Sequence, residues 1–192
     1  ALLGEHVDNP VLADDSGVLL PEEVIEILAP AGVAPIITVT GRDRDLEHAC
    51  ATIVRYRDAG AAAIHCMTGD HPQAMGIDRP VRFGTEAMAL IGAATDLGMA
   101  VTVGESPASP GPRVARLDAK AAAGASGCIL NHGGGTDVLI AFADAVDAHA
   151  SGLALFAPVP MVADRRAAEA LRAFPGLRLP PGYLHAIEES AE

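Results

Sequence analysis

The chain has 192 residues, half of them hydrophobic and only 3% aromatic, and its 25 acidic against 13 basic residues give a formal charge of −12. An acidic surface of that size repels phosphate backbones, so nucleic acid is not an expected partner. No stretch reaches the ~20 apolar residues of a membrane span, and Cys50, Cys66 and Cys128 form neither a disulfide framework nor a zinc knuckle. A reducing, cytoplasmic setting is expected.

The length and the Ala, Val, Leu and Ile content suit one domain over residues 1–192. The chain opens at Ala1 without an initiator Met and without a signal-peptide pattern, which raises the expectation of a missing upstream segment. A short β-compatible run at His6 to Asp8 comes first. Pro21 then suits a first helical turn, with Val24, Ile25 and Leu28 on one face. Pro35 to Thr40 reads as a strand, followed by a helix whose apolar stripe is Leu46, Cys50, Ile53 and Val54. Ala62 to Met67 is the next strand. Ala87, Leu90, Ile91 and Ala94 mark the following helix, and Ala100 to Gly104 the strand after it. Beyond these come strands at Gly127 to Leu130, Leu153 to Pro158 and Leu177 to Pro180, and a helix capped by Asp164. Gly60, Gly98, Gly124 and Gly152 each stand just before a strand, where a left-handed helix cap turns the chain back.

Strand starts recur at roughly 24 to 38 residues, against about 31 per unit in a (β/α)8 barrel of ~250 residues. No GxGxxG turn follows the first clear strand, which speaks against an open dinucleotide-binding sheet. The expected fold is therefore α/β, a (β/α)8 TIM barrel whose first strand is missing from this chain, or a barrel that is open or completed by another subunit. A homo-oligomer or a partner subunit is the corresponding assembly.

In such a barrel the loops after the strands build the site. Thr40-Gly41-Arg42-Asp43-Arg44-Asp45, Thr68-Gly69-Asp70-His71-Pro72 and Asn131-His132-Gly133-Gly134-Gly135 are the polar groups so placed. Asp70 can act on a ring or a proton, or cap a turn. Arg42 and its neighbours can hold an anion or form a solvated ion-pair face. Lys120 is the only lysine among 13 basic residues. It can be a phosphate-binding point charge or a cation favoured at a helix C-terminus. The triple glycine is a phosphate cradle or a flexible turn. His48, His65, His71, His132, His149 and His185 show no HxxxH or HExxH spacing, so no metal site is expected. Ser106, Ser109 and Ser126 lack a GxSxG elbow.

Taken in order, Asp8-Asn9-Pro10, Pro35 to Arg44, Thr68-Gly69-Asp70-His71-Pro72, and Lys120 with Ala123-Gly124-Ala125 resemble the methylenetetrahydrofolate reductase family over almost the whole chain. Gly41 stands for Cys, and Asp45 for Asn, in that family's T-C-R-D-R-N type element. The resemblance implies a barrel binding FAD, reduced by NAD(P)H, that passes hydride to methylenetetrahydrofolate. It implies Asp70 near the flavin and folate rings as the catalytic residue, Thr38, Arg42 and Lys120 on the flavin, and Asn131 on the folate. The family's first-strand glutamate has no match, and its flavin loop appears only as Gly104-Glu105-Ser106-Pro107. A second reading is therefore an impaired barrel that binds or regulates a full-length reductase.

Overall fold

The structure is a computed structural model that describes residues 11–13, 19–42, 44–68, 85–107, 112–131, 135–149, 152–157, 162, 164–173 and 182–190. Strands and helices alternate as β1 (Val11–Ala13), α1 (Pro21–Leu28), β2 (Ile36–Thr40), α2 (Leu46–Ala59), β3 (Ala63–Met67), α3 (Ala87–Asp96) and β4 (Ala100–Glu105). They continue as α4 (Arg113–Ala122), β5 (Gly127–Leu130), α5 (Thr136–Ala148), β6 (Ala154–Phe156), α6 (Arg165–Ala173) and α7 (Tyr183–Ser190). The residues group into two compact units, Ala1–Val103 with Ala122–Ser126, and Gly104–Ala121 with Gly127–Glu192.

In the first unit the strands lie in sheet order β1-β2-β3-β4, all parallel and each beside its neighbour in sequence. Period-two alternation gives this sheet two chemically different faces. On one, Ile37, Ile64 and Val101 are in register, as are Val39, Cys66 and Val103, and none is more than 2% exposed. Ile53 of α2 and Leu90, Ile91 and Ala94 of α3 are equally buried and pack on the sheet. Each large aliphatic side chain removed from water there contributes about 1.5–3 kcal/mol.

Helix α2 begins at Asp45, whose side chain accepts the His48 amide at 2.8 Å and satisfies one of the open N-terminal donors. The charged run before the helix thus contains its cap. The buried face of α2 is Ala49, Thr52, Ile53 and Tyr56 rather than the expected Leu46, Cys50, Ile53 and Val54. Leu46, in the first turn beside the cap, is 43% exposed. Thr52 takes an inward position because its hydroxyl donates to the His48 carbonyl at 3.0 Å, which leaves only its methyl for the core. Helix α3 buries Leu90, Ile91 and Ala94 as the periodicity predicts.

Gly41, directly after β2, is held by two backbone bonds. Its amide donates to the Met67 carbonyl at 3.0 Å, and its own carbonyl accepts the Thr85 amide at 3.4 Å. A Cβ at this position would overlap the Thr85 carbonyl oxygen, so the close approach of the two backbones requires glycine.

The second unit has β5 parallel to β6, in register from Gly127 beside Ala154 to Ile129 beside Phe156. Its buried side chains include Leu117, Cys128, Leu130, Phe142, Val146 and Ala168. Asp164 caps α6 through the Ala167 amide at 2.7 Å, as its sequence position predicts. Strand β1 is an addition to the predicted elements: three residues followed by two aspartates give too short a pattern to read. The expected strands at His6 to Asp8 and Leu177 to Pro180 lie outside the described residues.

Candidate functional site

The second face of the first unit's sheet carries the polar chemistry. From the N-terminal to the C-terminal strand ends its first row is Ile36, Ala63 and Ala100, and its second is Thr38, His65 and Thr102, all in register. Above these comes Thr40 beside Met67. An apolar floor therefore lies under a polar row. His65 and Thr102 are 5% and 6% exposed, and His65 Nδ1 lies 2.9 Å from Thr102 Oγ1. Thr38 is half-buried. Inward positions of (β/α) barrels are mostly Val, Ile and Leu. A polar group there costs free energy unless it is hydrogen-bonded, as the imidazole and the Thr102 hydroxyl are.

Cys66 neighbours His65 but points to the opposite face. Burial pushes its thiol up to about 12. Cys128 stands at about 11, where burial outweighs the lowering by Lys120 and is joined by the raising effect of Glu105. Neither is a thiolate at neutral pH, so neither has the form a nucleophilic cysteine needs.

In the second unit, Arg113, Arg116 and Lys120 lie on one stripe of α4, at spacings of three and four residues, and all reach back to Gly104–Pro107. Lys120 Nζ donates to the Gly104 carbonyl at 2.8 Å and to Glu105 Oε2 at 3.1 Å. Arg116 donates to Glu105 Oε1 at 2.7 Å, and Arg113 donates to the Pro107 carbonyl. The Glu105 side chain is 5% exposed. Burial alone would raise its carboxyl, but the hydrogen bonds and charges of Arg116 and Lys120 outweigh that and hold it below the ordinary carboxylate value. The Glu105 carbonyl accepts the Asn131 amide at 2.7 Å, which fixes the first residue after β5. Asn131 itself is exposed.

The predicted site residues thus have different fates. Thr38 stands in the polar row with His65 and Thr102, two residues that no metal-spacing motif marks in the sequence. Thr38 and Arg42 belong to the first unit, and Lys120 and Asn131 to the second. Arg42 follows β2 directly and is half-buried with an interaction of its own. Lys120, predicted on a flavin phosphate, is committed to Glu105 and a backbone carbonyl. Asp70 lies outside the described residues.

No family model matches the sequence, and no curated protein matches it. Solved structures do resemble it. A crystal structure of phosphonopyruvate hydrolase in complex with oxalate and Mg2+ is 18% identical, over 83% of this chain and 65% of that one, with a TM-score of 0.49. The second, 2,3-dimethylmalate lyase, is described as a PEP mutase/isocitrate lyase superfamily member. It is 17% identical over 96% of this chain and 72% of that one, with a TM-score of 0.52. This chain spans less than two thirds of the hydrolase's length. The fold is the α/β, parallel-sheet architecture of (β/α)8 barrels with some strands lacking, as the strand rhythm predicts.

These findings overturn the reductase reading. The neighbour that shares the fold, 2,3-dimethylmalate lyase, is a PEP mutase/isocitrate lyase superfamily member and no flavin-dependent reductase, so the methylenetetrahydrofolate reductase activity, FAD, NAD(P)H and folate lose their support, and so does the role of partner to such a reductase. Two details of the structure agree. The cysteine of the reductase element has no room at Gly41, and the one lysine is engaged by Glu105. The motifs that carried the likeness are short and rich in Gly, Pro and Asp, which turns and helix caps favour in any fold. Among the described residues, no helix is long and apolar enough to cross a membrane.

Proposed function

We propose that the chain is a lyase- or hydrolase-type enzyme acting on a small organic acid, of the kind its fold neighbours represent, with its chemistry at the C-terminal ends of the parallel strands. The observation that carries this reading is the correspondence with 2,3-dimethylmalate lyase along 96% of the chain. Fold alone does not fix an activity; support from the site comes from the polar row on β2, β3 and β4 beneath the strand ends. Splitting a bond in a substituted malate requires a hold on the substrate's carboxylates and a group that moves a proton. Thr38 and Arg42 are the proposed hold, and Asp70, placed by sequence after β3, is the proposed proton-moving group.

Oxalate and Mg2+ accompany the hydrolase in its crystal structure. Here, among the described residues, no three His, Cys, Asp or Glu side chains come together to hold a metal ion, and both Glu105 oxygens are taken by cations. Those donors do not fit a divalent ion, and no step is assigned to one.

The test is incubation of the purified protein with 2,3-dimethylmalate, malate and phosphonopyruvate, each with and without added Mg2+, followed by proton and phosphorus NMR. The expected result is loss of one substrate with matching appearance of a 2-oxo acid. No turnover in any arm would overturn the reading.

A further inference from the structure

We infer that Thr38, His65 and Thr102 form a binding row for a carboxylate oxygen of a small organic acid. The inference rests on the enzyme reading above only for its ligand class; the row itself stands on the geometry of the sheet.

Three adjacent parallel strands each place a hydrogen-bonding side chain at the same level of the same face, with Thr38 beside His65 and His65 beside Thr102. Chance placement of a polar residue on an inward face would be expected to leave apolar neighbours on the flanking strands. Here the polar positions coincide, while the level below is entirely Ile36, Ala63 and Ala100. Two hydroxyls and an imidazole carry no fixed negative charge, which suits an oxyanion, and the His65–Thr102 bond takes up one of their polar hydrogens. A carboxylate held by such donors gains the stronger, charge-assisted type of hydrogen bond.

The arrangement also gives each member a distinct part. Thr38, half-buried, is the member open to approach. His65 and Thr102, bonded to each other at 2.9 Å and nearly fully buried, hold the row rigid behind it. A pair already fixed by its own hydrogen bond lowers the ordering cost for a ligand that reaches the row. Above the row Met67 on β3 is a flexible side chain that can shift to admit a ligand. Thr38 is thus the contact residue, and His65 and Thr102 are positioning residues.

Malonate is a suitable probe because it is a small dicarboxylate that offers none of the bonds cleaved in the turnover assay. Its binding is measured by calorimetry on the full chain, alongside the imidazole nitrogen resonances of His65. Saturable binding that shifts those resonances is expected. Thr38→Val and His65→Asn should each weaken it about tenfold or more, the scale of one lost hydrogen bond to a charged group. Asn at 65 keeps an amide near the position of Nδ1 and so preserves a partner for Thr102. If that variant fails to fold, Thr38→Val, at a half-buried position, carries the test.

Absence of malonate binding, or binding that Thr38→Val leaves unchanged, would overturn the inference. The two readings fail separately. Row-dependent binding without turnover of any acid retains the row and removes the lyase assignment, whereas turnover whose KM ignores Thr38→Val retains the enzyme and removes the row.

Discussion

Replacing Glu105 by Ala is expected to lower the stability of the protein by about 3–5 kcal/mol, the scale found when one partner of a buried ion pair is removed. The loss is large because the substitution leaves an uncompensated charge. Lys120, whose side chain is 18% exposed, would keep its ammonium without a carboxylate, while Arg116 at 42% can turn to water. Urea denaturation at neutral pH measures the effect.

Glu105→Gln sharpens the same prediction through its pH dependence. The folded-state carboxyl titrates below its ordinary value, which is about 4.3 for an unperturbed Glu. A depressed carboxylate contributes stability that is fully present above the unfolded value and lost as pH falls through the folded one. The stability difference between wild type and Glu105→Gln should therefore be constant near neutrality and shrink below about pH 4. A difference that stays flat down to pH 2 would mean the carboxylate is not held by its cations.

Gly41→Cys is the second large effect, expected to cost roughly 1–3 kcal/mol as overpacking against an unyielding neighbour. The obstacle is the Thr85 backbone carbonyl, which accepts no rotamer change as a remedy. Both the Gly41–Met67 and Gly41–Thr85 backbone bonds would have to lengthen or break to admit the side chain. Thermal melting reads the loss, and Gly41→Ala, which adds the same Cβ, should reproduce most of it. An unchanged melting temperature in the Ala variant would show that the segment after β2 can move aside.

Much of the fold was legible because period-two and period-3.6 apolar patterns are properties of local sequence. Ile36–Thr40, Ala63–Met67 and Gly127–Leu130 lie within the expected strand limits. The glycines expected as left-handed caps, Gly60, Gly98, Gly124 and Gly152, all have positive φ. The inward face of α2 was less legible, since Thr52 looks polar until its bond to the His48 carbonyl is known.

The site was harder to read for a related reason: its order is set by strand register, which no single segment contains. Yet a signal was present. Thr38, His65 and Thr102 are each the third residue of a five- or six-residue strand, in three consecutive strands. Aligning the strands by their first residues, rather than searching for spaced motifs, brings the row into view. Lys120 shows the converse. Its rarity marked it as notable, but only the positions of Gly104 and Glu105 reveal that its charge is consumed within the protein.

That engagement has a practical corollary. With a single lysine in 192 residues, a lysine-specific endoprotease has one internal cleavage point, and it lies in the last turn of α4 with its ammonium clasped by β4. Cutting requires that turn to come away from the strand, so the digestion rate reports the local opening of one helix without any engineered label.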